Sequence, residues 1–384
     1  MKRSFALGIV LATSLAHAAT LTRGPYLQLR TTTSMTVVWN TDVAARCTLT
    51  LRPLDGEAKQ VTGGTSTLCT IALQDLSPGT RYGYVARADG EPLIGEAVFQ
   101  TDHPDRPFTF LVFGDSGDGD NRQLAVRDAM LKTPADWLLH TGDMVYDRGA
   151  AEDFDPKFFA PYADLLRTHV LWPCLGNHDV KTADGAPWRA AFLTPANNPA
   201  HSENYYSFRA GNALIVVLDS NQDLSPGGAQ AVFAEHELAT SSALWKFVVF
   251  HHTLYSSGVK HGSDEKLRGL LAPLFDGQRV DIVFMGHEHN YERTHPLRNN
   301  VVVPPAEGTT YVTTGGGGKN LYAVNGASFT AYAESAPHFV RVAIDARTLK
   351  LDMIRTDGAI RDSFTLTKPT TPAPDRLVSP TREN

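Results

Sequence analysis

Hydrophobic and polar positions follow two different styles along this chain, and the style changes near residue 103. Between residues 20 and 101 the apolar positions fall in short alternating segments: Met35–Trp39, Cys47–Leu51, Thr70–Leu73, Tyr82–Ala86 and Glu96–Gln100. Turn signals part them, namely Asp55-Gly56, Gly63-Gly64, Ser77-Pro78-Gly79 and Asp89-Gly90. Several short strands at this spacing predict a β-sandwich. No cluster of titratable residues lies in this part, which points to binding or spacing rather than catalysis.

The stretch His103-Pro104-Asp105-Arg106-Pro107 reads as a linker. Beyond it the strands become near-continuous apolar runs, at Phe108–Phe113, Trp137–His140, Val170–Trp172, Ala213–Leu218, Phe247–Phe250 and Asp281–Met285. Runs of this kind belong to strands buried on both faces, so the pattern predicts an α/β core with covering helices. Strands at Thr310–Thr314, Phe339–Ile344 and Leu349–Ile354 close it. The expected organisation is a leader over 1–18, a sandwich over 19–103, an α/β domain over 104–368 and a disordered tail over 369–384, where Pro369, Pro372 and Pro374 precede polar residues.

Composition changes this picture at three points. Lys2 and Arg3 precede an apolar run from Phe5 to Leu15, and Ala16-His17-Ala18 supplies small residues at a cleavage site. This predicts a signal peptide cut after Ala18, hence a secreted or periplasmic protein with no stable membrane anchor, because the run is too short to span a bilayer. In an exported chain Cys47 and Cys69 can pair, while Cys174, in Leu171-Trp172-Pro173-Cys174-Leu175, reads as a buried inert thiol. The net charge of −6 leaves no basic excess for a nucleic-acid backbone. It does not argue against a small phosphorylated substrate, since bound metal ions reverse a local potential. The oligomeric state is left open.

The chemistry gathers where strands end. Gly114-Asp115-Ser116-Gly117 follows the first α/β strand, Gly142-Asp143-Met144-Val145-Tyr146 the second and Gly176-Asn177-His178-Asp179 the third. His251-His252 ends the Phe247–Phe250 run, and Gly286-His287-Glu288-His289 ends the last. Ligands of α/β sheets bind at the carboxyl ends of strands, so these five segments can share one cleft. Six of the 14 histidines lie between His251 and His295, too dense for scattered core residues. Carboxylates, imidazoles, an amide and a phenol suit iron, manganese or zinc rather than a soft thiolate site. Each motif alone is a common turn; five in order, each after a strand, predict a binuclear metal centre.

The set resembles the purple acid phosphatase branch of the calcineurin-like metallophosphoesterases. Arg23-Gly24-Pro25-Tyr26-Leu27-Gln28 with Trp39 is similar to that family's fibronectin type III-like sandwich, and Thr313-Thr314 with Gly315–Gly318 to its C-terminal strand and turn. The resemblance implies two β-sheets flanked by helices. It also implies that Asp115, Tyr146 and His289 bind one metal, ferric iron, and that Asn177, His251 and His287 bind a divalent ion (zinc, iron or manganese). Asp143 would bridge them. Related diesterases carry histidine where this chain has Gly117, and Tyr146 takes that place here. Adjacent strand residues point to opposite faces, so one of His251 and His252 is expected at the metals; Tyr255, four residues on, fits His251. His252 either lines the substrate side or packs nearby.

The implied reaction is phosphate monoester hydrolysis by a hydroxide on the metals, with the phosphoryl oxygens clamped between them. A phosphodiesterase or nucleotidase on the same centre is the alternative. His178 is the first candidate to protonate the leaving group, with Asp179 orienting it. His261, in Gly258-Val259-Lys260-His261-Gly262, is the second. Tyr291 and Arg293 either touch phosphate or pack behind it. His140 reads as a core polar group and Asp219 as a turn-forming carboxylate.

Overall fold

A computed structural model describes residues 18–370 of the 384. Of the expected signal peptide over 1–18 and the expected tail over 369–384, residues 1–17 and 371–384 lie outside the described residues. The N-terminal strands are β1 (Leu21–Gln28), β2 (Met35–Pro53), β3 (Lys59–Leu73), β4 (Arg81–Ala88), β5 (Glu91–Pro92) and β6 (Ala97–Gln100). The α/β part opens with β7 (Phe108–Phe113), β8 (Trp137–His140) and β9 (Val170–Pro173). It continues with β10 (Tyr206–Ala210), β11 (Ala213–Val217), β12 (Trp245–Val249), β13 (Ile282–Met285) and β14 (Tyr291–Thr294). After two short strands, β15 (Leu297–Arg298) and β16 (Val301–Val302), come β17 (Thr310–Thr314), β18 (Thr330–Glu334), β19 (His338–Asp345), β20 (Thr348–Arg355) and β21 (Ile360–Thr367).

Two segments expected to be separate strands, Met35–Trp39 and Cys47–Leu51, are one strand, β2. Gly63-Gly64, expected as a turn, lies inside β3. The reason is a pair of bulges: Asn40 faces Leu68 but Ala45 faces Ser66, and Arg46 faces Thr65 but Thr48 faces Thr62. Bulges bend long strands without ending them, and glycine marks such sites. Cys47 and Cys69 are joined in a disulfide across this pair, with Cα atoms 5.6 Å apart. Cys174 is a free, buried thiol.

Two sheets meet in the α/β part. The first runs β21-β20-β19-β7-β8-β9 and continues through β1 into β2 and β4; the second runs β10-β11-β12-β13-β17-β14-β18. Strands β7, β8 and β9 are parallel, as are β11, β12, β13 and β17. The period of two decides what each face meets. Phe110, Val112, Trp137, Leu139 and Trp172 point between the sheets, where Phe110 lies 5.8 Å from Phe247 and 6.2 Å from Phe284. Leu111, Phe113, Leu138 and Leu171 point outward onto the cluster of Val126 and Met130 from helix α1 (Asn121–Leu131). On the second sheet Phe250 packs on Phe275 of the helix Glu265–Gln278. The architecture is two sheets flanked by helices, preceded by an N-terminal β layer.

That layer is tied to the core. Leu27 of β1 pairs in parallel with Val170 of β9. Tyr26 Oη donates to Ala191 O at 2.9 Å, Leu193 N donates to Gln28 Oε1 at 2.6 Å, and Tyr84 Oη donates to Arg167 O at 2.8 Å.

Candidate metal centre

Five of the parallel strands end near the same point. Strands β7, β8 and β9 deliver Asp115, Asp143 and Asn177, while β12 and β13 deliver His251 and the His287/His289 pair. The turns are tight: Asp115, Asp143 and His287 all have left-handed φ, at 56°, 56° and 70°. Non-glycine residues in that region carry strain of the kind found at functional sites. Glycines make the close approach possible. A Cβ on Gly176 would collide with the Asp143 amide and carboxylate, and one on Gly117 with the Met144 carbonyl. No side chain fits at Gly117, and its own carbonyl accepts the Tyr146 amide at 2.9 Å.

The seven predicted ligands come together in two overlapping groups. In the first, Tyr146 Oη lies 3.1 Å from Asp115 Oδ1, 3.0 Å from Asp143 Oδ2 and 3.1 Å from His289 Nε2. In the second, His251 Nε2 lies 3.0 Å from Asn177 Oδ1, 3.2 Å from His287 Nδ1 and 3.5 Å from Asp143 Oδ2. Asp143 therefore reaches both. Asp115, Asp143 and His251 offer ligand atoms within 4.8 Å of one another.

The donor chemistry fits two cations. His251 Nδ1 donates to Thr141 O at 2.9 Å and His289 Nδ1 to Asn320 O at 2.7 Å, which leaves both Nε2 lone pairs aimed inward. Those lone pairs meet carboxylate, amide and imidazole acceptors, an arrangement that a positive ion resolves. Burial disfavours the charged form of His251, yet Asp143 and Asp115 outweigh it and push the imidazole up to about 9. Burial also opposes ionisation of Asp143, but His251 and His178 hold its carboxyl well below the usual range. Burial and the Asp115 and Asp143 charges push the Tyr146 phenol well above its ordinary value. Only a strongly charged cation beside it makes it a phenolate.

Around this centre the other candidates separate. The His178 amide donates to Asp143 Oδ1 at 2.7 Å; its ring stands 4.6 Å from that of Tyr146, with Nδ1 2.5 Å from Asp147 O and Nε2 3.9 Å from Asp143 Oδ2. Asp179 does not orient it, which corrects the expectation. Asp179 is fully buried and turned the other way, accepting from Met144 N at 2.9 Å and Gly176 N at 2.8 Å. It pins the second and third motif loops together. Burial and the Asp143 charge push its carboxyl up to about 8. The His261 ring lies 4.0 Å from the His287 ring.

Strand β12 ends at Val249, so His251 and His252 lie beyond it and turn geometry rather than strand alternation separates them; one of the two, His251, faces the centre as expected. His251 aims at Asp143, while His252 packs 4.7 Å from the His287 ring and bonds Ser220 Oγ at 2.8 Å. Burial and His251 push the His252 imidazole down to about 4. Tyr255 is buried and bonds Asn300 Oδ1 at 2.5 Å. Tyr291 and Arg293 both bond Asp362, at 2.8 and 2.6 Å, so they pack behind the site. His140 bonds Ser116 Oγ at 2.9 Å inside the core, and Asp219 accepts from Asn221 N in a turn.

Three residues near the centre were not anticipated. Lys319 sits with Nζ 4.6 Å above the Tyr146 ring, 2.7 Å from Asp118 Oδ1 and 3.2 Å from Asp147 Oδ1. Tyr322 stacks on His289 at 4.1 Å. Glu288 is buried between the two histidines. The glycine run Gly315–Gly318 was the available signal for the first two. It lets this turn press against Gly114 and Ser116, and the Lys319 amide bonds Asp115 O at 3.0 Å.

Comparison with known proteins places this geometry in context. Residues 108–291 match the calcineurin-like phosphoesterase family model. The chain is 27% identical over 359 residues to probable inactive purple acid phosphatase 27 of Arabidopsis thaliana, covering 77% of this chain and 57% of that one. The chain thus spans little more than half the length of that relative. It is 30% identical over 304 residues to a nucleotide pyrophosphatase/phosphodiesterase of Hordeum vulgare, covering 67% of this chain and 82% of that one. Among solved structures, purple acid phosphatase PPD1 from yellow lupin (Lupinus luteus) seeds superposes with a TM-score of 0.79 at 23% identity, over 91% of this chain and 74% of that one.

Proposed function

Because this chain belongs to the calcineurin-like phosphoesterases, in their purple acid phosphatase-like branch, we propose that it hydrolyses phosphate monoesters at a binuclear metal centre. The observation that carries this is the Tyr146 hydroxyl, held within 3.1 Å of Asp115, Asp143 and His289 beside a second group built on His251. A phenol in the first group favours ferric iron, and the second group, whose members other than the shared Asp143 are neutral, favours a divalent ion: zinc, iron or manganese. The two ions would supply Lewis-acid activation of the phosphoryl oxygens and of a water.

The chain's own residues do the rest. Asp143 reaches both groups and fixes their spacing. His178 Nδ1 contacts Asp147 O, and Nε2, 3.9 Å from Asp143 Oδ2 and 3.3 Å from Lys181 Nζ, is the atom that passes a proton to the departing alkoxide. His261, on the other side beside His287, contacts the phosphoryl oxygens. Asp179 keeps the loops of Asp143 and Asn177 in register. The substrate is a small phosphorylated molecule rather than a nucleic acid.

A secreted or periplasmic location fits this reading. The Cys47–Cys69 disulfide supports it, and no helix among the described residues is long and apolar enough to cross a membrane. Residues 19–103 are then a fibronectin type III-like unit and 104–368 the catalytic one.

One observation favours a second reading, phosphodiester or pyrophosphate cleavage: the Hordeum vulgare relative is named for that activity. Hydrolysis of p-nitrophenyl phosphate beside bis-p-nitrophenyl phosphate, from acid to alkaline pH with iron, zinc and manganese supplied, separates the two. Preference for the monoester is expected. Preference for the diester transfers the conclusion to the second reading, and turnover of neither defeats both.

A further inference from the structure

Between the two histidines of the His287-Glu288-His289 stretch stands a side chain that the proposed chemistry does not use. Glu288 is fully buried. Its Oε1 accepts the amide hydrogens of His261 at 2.5 Å and of Gly262 at 2.7 Å, and its Oε2 has no hydrogen-bond partner. Gly258 crosses directly over the carboxyl group, where a Cβ would collide with it. Four residues further on, Glu292, 1% exposed, accepts from Ser257 N at 2.6 Å and Ser257 Oγ at 2.8 Å. Two buried carboxylates from one segment thus collect the polar groups at both ends of the loop 256–262.

Such an arrangement is costly. A buried carboxyl group satisfied on one oxygen only is less stable than an apolar residue of the same size. A mere spacer between two histidines needs no carboxylate. What Glu288 gains in return is a fixed distance between two parts of the site: the segment that carries His287 and the loop that carries His261. The result is visible in the rings of those two residues, whose centroids lie 4.0 Å apart.

We propose that Glu288 is a positioning residue that locks the His261 loop onto the histidine segment, so that His261 meets the substrate at a set distance from the metal-facing His287. This rests on the phosphoester-hydrolysis reading for its consequence, though not for its geometry. Glu288→Gln keeps a carbonyl oxygen for both amides; Glu288→Ala removes the acceptor.

The first measurement is amide hydrogen exchange on the full chain. Slow exchange at 261 and 262 is expected in the wild type and in E288Q, and fast exchange in E288A. The second is steady-state hydrolysis of p-nitrophenyl phosphate by E288A, H261A and the double variant at matched metal content. E288A should raise KM about tenfold, as a lost charged-acceptor contact does, with a smaller change in kcat. E288Q should restore KM, and the double variant should be no worse than H261A alone. Additive losses, or open-loop exchange at 261 and 262 in the wild type, would overturn the proposal. A wild-type chain with no phosphoesterase activity sinks the function reading, and exchange still decides the Glu288 contact.

Discussion

Acid should loosen this fold at His338, far from any proposed metal ligand in sequence. The side chain is fully buried at the start of β19, with Nδ1 2.8 Å from Ala336 O and Nε2 3.1 Å from Thr314 Oγ1. The ring edge of Tyr291 faces it at 5.3 Å. Burial pushes its imidazole from 6.5 down to about 4, against a small opposing effect of the Ala336 carbonyl. Unfolded, the group binds its proton near 6.5; folded, only near 4. Between these values the unfolded chain holds more protons, so this contribution to stability is complete above 6.5 and lost as pH falls through that window. The full gap is worth roughly 3.4 kcal/mol, and about 2 kcal/mol of it has gone by pH 5.

The comparison is with His338→Asn, which keeps a donor for Ala336 O and an acceptor for the Thr314 hydroxyl but does not titrate. Guanidinium unfolding of both proteins between pH 7.5 and 5 should show the wild type losing about 2 kcal/mol more than the variant. Parallel stability curves would refute the reasoning. The functional consequence follows from the neighbour: the His338 amide bonds Gly316 O at 3.1 Å, so protonation strains the turn that carries Lys319 and Tyr322.

Tyr146→Phe should abolish a visible charge-transfer band in iron-loaded, oxidised protein and lower iron retention on dialysis at least about tenfold; an oxidised, iron-loaded wild type that is colourless would remove Tyr146 from the ligand set. Gly117→Ala should cost about 1–3 kcal/mol in chemical denaturation and reduce turnover, because the new methyl meets the Met144 backbone rather than a yielding side chain. Replacing both Cys47 and Cys69 by serine, across a separation of 22 residues, should cost about 3 kcal/mol of stability while leaving hydrolysis at low temperature intact. Unchanged denaturation midpoints would contradict each of the last two.

The strands that frame the site were readable where a strand-like run gives way to a glycine within two residues. Phe108–Phe113, Trp137–His140 and Thr310–Thr314 have the bounds that the pattern predicts. Strand β14 was not, since Tyr-Glu-Arg-Thr carries two charges that are buried through partners far along the chain, Arg293 with Asp362 and Glu292 with Ser257. Strand β2 reads as two because its bulges between Asn40 and Thr48 break the alternation without ending the pairing, and the glycines that mark them lie on the partner strand and resemble a turn. In the site, residue types and order pointed to five motifs in one cleft, and the family resemblance named the seven side chains, which do lie together. Side-chain direction was not legible: Asp179 follows His178 in sequence yet points at the amides of Met144 and Gly176. Glu288 drew no role from its motif for the same reason, since its partners lie in a loop 26 and 27 residues away.

The seam where Leu27 meets Val170 bears on how this molecule can be cut and rebuilt. Strand β9 leads on to Gly176 and Asn177, and at its first residue, Val170, its outer edge is taken by β1. A catalytic fragment begun at the 103–107 linker would therefore uncover the edge of the strand that leads to its own active loop, an invitation to self-association. Anyone wishing to transplant this centre into another scaffold should carry β1 along with it, as part of the graft rather than as packaging.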